Sequence, residues 1–200
     1  MSPRLPEQLL PGRANALGAQ LIDGGVNFVV FSAHAERIEL CVFDTHGSRE
    51  LRRYALHGPD DDLFHGFLPD FGAGLVYGLR AYGPCVPEAG NRFNPHKLLL
   101  DPYAREIVGH FRWDDAHYGY TLGHPDGARR MDTRDNAAMA LKARVAAPLP
   151  ALRAPRPQRA TAERVLYEVH VKGFSAECEA IPAALRGRYA GLAHPAAIAH

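Results

Sequence analysis

Glu168 and His170 stand two residues apart in the stretch VLYEVHVKGFS, Val165 to Ser175. Side chains two apart on a β-strand share a face. A carboxylate beside an imidazole is a pairing that can take up and return a proton. In a parallel barrel, polar groups near the C-terminal end of a strand reach the mouth where the active site lies. The plainer reading is a hydrogen bond or ion pair that fixes the first strand of a domain, and that reading is preferred.

Other clusters invite the same test. His110, His117 and His124 recur every seven residues, a pattern that could hold a metal. They sit among prolines and glycines, and no cysteine or close carboxylate has the spacing of a metal site, so no metal is expected. Gly72–Gly74 (GAG) comes nearest to a phosphate-cradling loop. It runs into the strand-like LVYGLRAYG rather than a helix, so it reads as a tight turn. Asp60, Asp61 and Asp62 read as a solvated turn. Among the eleven histidines a base could be found, but no G-x-S-x-G elbow accompanies it. Cys41, Cys85 and Cys178 are far apart and form no C-x-x-C pair, which argues against a disulfide scaffold or a zinc site and for reduced thiols.

The chain-wide properties exclude more than they assign. With 23 basic and 22 acidic side chains among 200 residues, the net charge of +1 calls for neither nucleic acid nor an anionic membrane as partner. No apolar run approaches the roughly 18 residues of a membrane span. The N-terminal MSPRLPEQLLPGR lacks the apolar core of a signal peptide, so a cytoplasmic protein is expected.

These candidates must be positioned by secondary structure. Residues 1–13 hold three prolines and read as an irregular arm. From Val26 the pattern is strand-like. VNFVVFS is β-branched and aromatic, and RIELCVF alternates Ile38, Leu40 and Val42 against Glu39, Cys41 and Phe43. DTHG (44–47) supplies a turn, and ELRRYAL returns. LFHGFLP and GLVYGLRAYG follow, with Leu75, Tyr77, Leu79 and Ala81 on one face. Short strands at this spacing predict an antiparallel β-sandwich, immunoglobulin-like, over residues 14–125 with its packed connection. In that connection NPHKLLL could form one helical turn opened by Asn94 and Pro95.

Residues 129–164 carry nine Lys or Arg against three acids, with four prolines and little aromatic content. A flexible linker over 126–164 is therefore predicted, in preference to an RNA contact. VLYEVHV then reads as a first strand, and HPAAIAH as a helix start with Pro195 in its first turn. Strand, loop and helix in that order predict the opening of an α/β domain over 165–200.

Several stretches, in the same order, resemble the bacterial glycogen debranching enzymes of the isoamylase group: ALGAQLIDGGVNFVVFSAHAERIELCVFD, YGPCVPEAGNRFNPHKLLLDPYA, FRWDDAHYGY, RDNAAM, and VLYEVHVKGFS with IPAALRGRYAGLAHPAAI. The resemblance runs from about residue 11 to the end. It implies a carbohydrate-binding-type β-sandwich followed by the start of a (β/α)₈ barrel of the α-amylase superfamily. It further implies hydrolysis of α-1,6 branch linkages in glycogen or limit-dextrin-type α-glucans, with retention and without cofactor. VLYEVHVKGFS corresponds to the first barrel strand and the loop after it.

A retaining glycosidase needs a nucleophilic carboxylate and a protonated acid about 5–5.5 Å apart. In this superfamily these groups lie on middle and late barrel strands. Residues 165–200 are a small part of the about 250 residues of a barrel. No catalytic residue is therefore assigned, and the 200-residue chain alone is expected to be inactive and its barrel opening poorly ordered. No sugar-binding residue is assigned either, since Trp113 is the only tryptophan and a packing role for the sandwich is as good a reading. Two alternatives stand beside this one: a non-catalytic glucan-binding or regulatory module, and a related branching or trehalose-releasing enzyme. The VKGF and LRGRYAGLAHP blocks argue against the latter.

Overall fold

Alternating apolar side chains along residues 25–82 close into two antiparallel sheets. The computed structural model describes residues 4–150 and 158–199, and the chain divides into two units, Met1–Pro150 and Ala151–His200. The described residues of the first form eleven strands: β1 (Gly18–Ile22), β2 (Gly25–Phe31), β3 (Arg37–Phe43), β4 (Glu50–Ala55), β5 (His57–Asp60), β6 (Leu63–Pro69), β7 (Val76–Tyr82), β8 (Cys85–Val86), β9 (Asn91–Arg92), β10 (Glu106–Val108) and β11 (Lys142–Arg144). One sheet has the order β1-β2-β6-β5 and the other β10-β11-β7-β3-β4, while β8 and β9 form a separate hairpin.

The strands read from the sequence over residues 26–83 are present, and the alternation places their side chains as expected. Leu40 pairs with Leu79 and Val42 with Tyr77 across β3 and β7. Ile38, Leu40, Val42, Tyr77, Leu79 and Ala81 meet Val26, Phe28, Phe64 and Leu68 of the other sheet in one core. Phe28 meets Tyr77 edge to face at 5.1 Å, the geometry that ring quadrupoles favour. The irregular arm also packs on the sandwich. Leu9 is buried, Leu10 and Phe67 exchange backbone hydrogen bonds, and the Tyr54 hydroxyl donates to Pro6 O at 2.9 Å.

The linker expected over 126–164 is corrected for its first part. β11 lies inside the second sheet, between β10 and β7, and Val145 N donates to Leu75 O at 2.8 Å. The reason lies on the outer face of that sheet. Cys41, Phe43 and Val76 form a second apolar layer, which Leu98 and Ala140 cover. An apolar face must be buried by something, and the returning chain does so with small residues and buried charges rather than aromatics. Residues 151–157 of the expected linker lie outside the described residues.

The second unit departs from expectation as well. Residues 165–170 form no strand, and Val165 and Leu166 are 93% and 94% exposed. A strand exists only through its ladder, and among the described residues of this unit no other strand offers one. Three short helices follow, α1 (Val171–Ser175), α2 (Tyr189–Leu192) and α3 (Pro195–Ile198), the last with Pro195 in its first turn as read. Ser175 and Ile181 are buried. The Ser175 hydroxyl accepts from Gly187 N at 3.0 Å, and Arg186 Nε donates to Ile181 O at 2.6 Å. No helix among the described residues is long and apolar enough to cross a membrane.

Candidate functional site

The residues nominated first do not converge. Glu168 and His170 are both exposed and share no strand face. His170 instead caps α1, its Nδ1 accepting from Gly173 N at 3.0 Å. Asp60 meets His65 Nε2 at 2.7 Å, and His65 Nδ1 accepts from Gly12 N at 3.1 Å. The ring proton therefore sits on Nε2, and the pair ties the arm to β6. Gly74, with φ +95°, closes the tight turn before β7. Among the described residues no three His, Cys, Asp or Glu side chains are grouped to hold a metal.

A different site assembles from FRWDDAHYGY, Phe111 to Tyr120. Asp114 starts it: its Oδ1 accepts from Ala116 N at 2.8 Å, opening one 3-10 turn over Asp115–His117. A side-chain oxygen at that position satisfies an otherwise unpaired N–H. Ala116 is the buried anchor of the turn. His117 is fixed at both nitrogens, with Nε2 2.9 Å from Arg112 O and Nδ1 3.3 Å from Asn136 Nδ2. The amide nitrogen can only donate, so Nδ1 accepts and the proton resides on Nε2, facing the carbonyl.

The turn brings five rings together. Phe111 stacks on His117 with centroids 4.7 Å apart. Trp113 meets Phe111 at 6.0 Å, His117 at 6.5 Å and Tyr118 at 6.0 Å. Tyr118 meets Tyr120 at 5.7 Å. Phe111 is 51% and Trp113 68% exposed, so the array is a surface feature. It is held from behind: Asn94 Nδ2 donates to Gly119 O and to Asp132 O, each at 2.8 Å, and Tyr120 bridges Met131.

His117 and Tyr120 also line a cavity of about 500 Å³, together with Phe93, Asn94, Asn91 and Arg92. That volume falls in the range of roughly 300–1,000 Å³ typical of small-ligand sites. The arrangement is suited to binding. The nearby Asp132 is locked as a carboxylate, held well below the usual range by hydrogen bonds from Arg134 and the Lys97 ammonium against the opposing effect of burial. A group so fixed cannot serve as a protonated acid. Sequence reading missed the array because it treated Trp113 singly. Five rings within ten residues, on a stretch with no strand alternation, were the available signal.

Two antiparallel sheets packed face to face form a β-sandwich, and an aromatic array lies beside a cavity on its surface. Residues 16–104 match the family described as Carbohydrate-binding module 48 (Isoamylase N-terminal domain), as the resemblance read from the sequence implied. The aromatic array lies beyond the matched residues. Among solved structures, the catalytic module of the multi-modular glycogen-degrading pneumococcal virulence factor SpuA aligns at 19% identity and TM-score 0.54, over 84% of this chain and 22% of that one. Apo pullulanase from Paenibacillus barengoltzii aligns at 16% identity and TM-score 0.54, over 92% and 23%. Pullulanase complexed with maltotetraose from Anoxybacillus sp. LM18-11 aligns at 16% identity and TM-score 0.53, over 94% and 22%. At these identities the likeness is one of fold, and the chain spans less than a quarter of the length of each.

Proposed function

We propose that this chain is the N-terminal part of a glycogen debranching enzyme, a glycoside hydrolase that cleaves α-1,6 branch linkages of glycogen-type α-glucans in the cytoplasm. The observation that carries this reading is the match of residues 16–104 to the isoamylase N-terminal domain. The sandwich would position or shield the catalytic cleft. Residues 165–200 would open the barrel, and the exposed Val165 and Leu166 are what a first strand leaves uncovered until neighbours pair with it. The alignments to solved structures, over 92% and 94% of the chain, extend past the 150 residues of the sandwich unit, which supports continuity of that kind.

The chemistry requires a nucleophilic carboxylate and a protonated acid on opposite sides of the scissile bond, their ionisation separated by environment. In the family that the chain resembles these groups lie on middle and late barrel strands, and the 200-residue chain is expected to be inactive alone. The test is to translate the reading frame through and beyond the His200 codon and assay the product on glycogen limit dextrin. Release of linear maltooligosaccharides supports the reading. A product that leaves α-1,6 linkages intact, or a 200-residue chain that cleaves them, refutes it.

A further inference from the structure

The aromatic array and the cavity beside it are continuous, sharing His117 and Tyr120. We infer that they form an α-glucan-binding site of the chain's own, in which the exposed faces of Phe111 and Trp113 receive glucose rings and the cavity walled by Asn91, Arg92 and Asn94 receives the adjoining sugar. The inference rests on the reading of the chain as part of an α-glucan-processing enzyme, and goes beyond it by placing a contact outside residues 16–104.

The ligand class follows from surface chemistry. A glucopyranose presents a face of C–H bonds and a rim of hydroxyls. Ring faces cover the first without loss of hydrogen bonds, as they cover other flat ligands. Amides and guanidinium groups at the edge satisfy the second, and the exposed Arg112 and Asp115 flank the rings. Along Phe111–Tyr120 apolar rings alternate with polar groups, the combination that the faces and rim of a sugar call for. The site is also preorganised. The ring of His117 is held by Arg112 O and Asn136, and Gly119 by Asn94, so little ordering is left for the ligand to impose.

Trp113 is the only tryptophan in the chain, so its fluorescence reports on this site alone. Titrating the full 200-residue chain with maltoheptaose should change Trp113 emission saturably, and cellohexaose, whose β-linkages set its rings differently, should not. Retardation of the chain in a glycogen-containing native gel should weaken about tenfold in Trp113→Ala and again in Phe111→Ala, the loss of one stacked ring each. Both side chains are more than half exposed, and far-UV circular dichroism would confirm that the variants fold. Emission indifferent to maltoheptaose overturns the inference. Equal retardation of wild type and Trp113→Ala also overturns it, by placing the glucan contact elsewhere on the sandwich, and leaves the enzyme reading intact. Emission that becomes buried and sugar-insensitive in the product carrying the downstream barrel would mean that the rings pack on protein, which equally overturns it.

Discussion

The ammonium of Lys97 lies 3.1 Å from the carboxylate of Asp132, and both side chains are withdrawn from solvent. Thirty-five positions separate them, so the pair fastens the connection after β9 to the segment that leads into β11. Lys97 also donates to Arg134 O at 2.8 Å, and the Arg134 guanidinium binds the second carboxylate oxygen. Lys97→Met removes a charge-assisted hydrogen bond while Asp132 keeps the Arg134 guanidinium, so the unfolding free energy should fall by about 1.5–3 kcal/mol in urea titrations. A loss below ~1 kcal/mol would mean that the pair is hydrated in solution.

The same carboxylate sets an acid limit on stability. Hydrogen bonds from Arg134 hold Asp132 below its ordinary value of 3.8, against burial. At Asp135 burial pushes upward, yet Ala137 N–H and the Arg80 guanidinium hold that group below 3.8 too. A folded-state value depressed below the unfolded one adds stability that is complete above the unfolded value and is lost as pH falls through the folded one. Comparing urea midpoints of wild type and Asp132→Asn should give a constant gap from about pH 5 to 8 that closes below pH 3.8. A gap that persists at the acid end would place the stabilising group elsewhere.

How much of this was legible in the residues differs from element to element. The central strands announced themselves, because a half-buried strand must alternate, and Ile38, Leu40 and Val42 do. The hairpin of β1 and β2 was signalled by Asp23–Gly24, with Gly24 at φ +80°, a pair favoured in two-residue turns, but the apolar content of GAQLI is too low to read as a strand. β11 was hidden for a related reason. Its place is secured by backbone pairing and by the burial of Lys142, whose ammonium donates to Ala140 O at 2.8 Å, and composition counts a lysine as exposed. The clue was β3 itself, apolar on both faces at Cys41 and Phe43, which required a covering layer from somewhere. The Val165 stretch shows the converse. Its pattern is that of a strand, but pairing is a property of neighbours that the pattern cannot supply.

Cys41 separates chemically from the other two thiols. It lies in the second apolar layer, where burial, with a smaller contribution from Glu50, pushes its thiol up to about 12. Cys85 and Cys178 are partly accessible. Since the thiolate is the reactive species, titration of the native chain with a disulfide reagent at neutral pH should consume Cys85 and Cys178 and spare Cys41. Unfolding in urea should release the third thiol. Prompt reaction of all three before denaturant is added would contradict the packing of Leu98 and Ala140 over β3.

That packing can be tested at its tightest point. Gly78 faces Leu98 across the outer surface of β7, and a Cβ built at Gly78 would lie 2.7 Å from Leu98 Cδ1 and 2.9 Å from its Cγ. Leu98 cannot swing aside. It is itself buried, and the chain beside it is pinned where Leu79 and Leu99 exchange backbone hydrogen bonds at 2.9 and 2.8 Å. Overfilling a closed layer forces backbone or rotamer shifts that cost about 1–3 kcal/mol. Gly78→Ala alone should be destabilised by that much in urea. Adding Leu98→Ala, which opens the space the new methyl needs, should cost less in the Gly78→Ala background than in the wild type, a coupling that residues out of contact do not show. Strict additivity of the two substitutions would detach the segment around Leu98 from β7, and with it the reading of residues 83–145 as a structural layer of the sandwich.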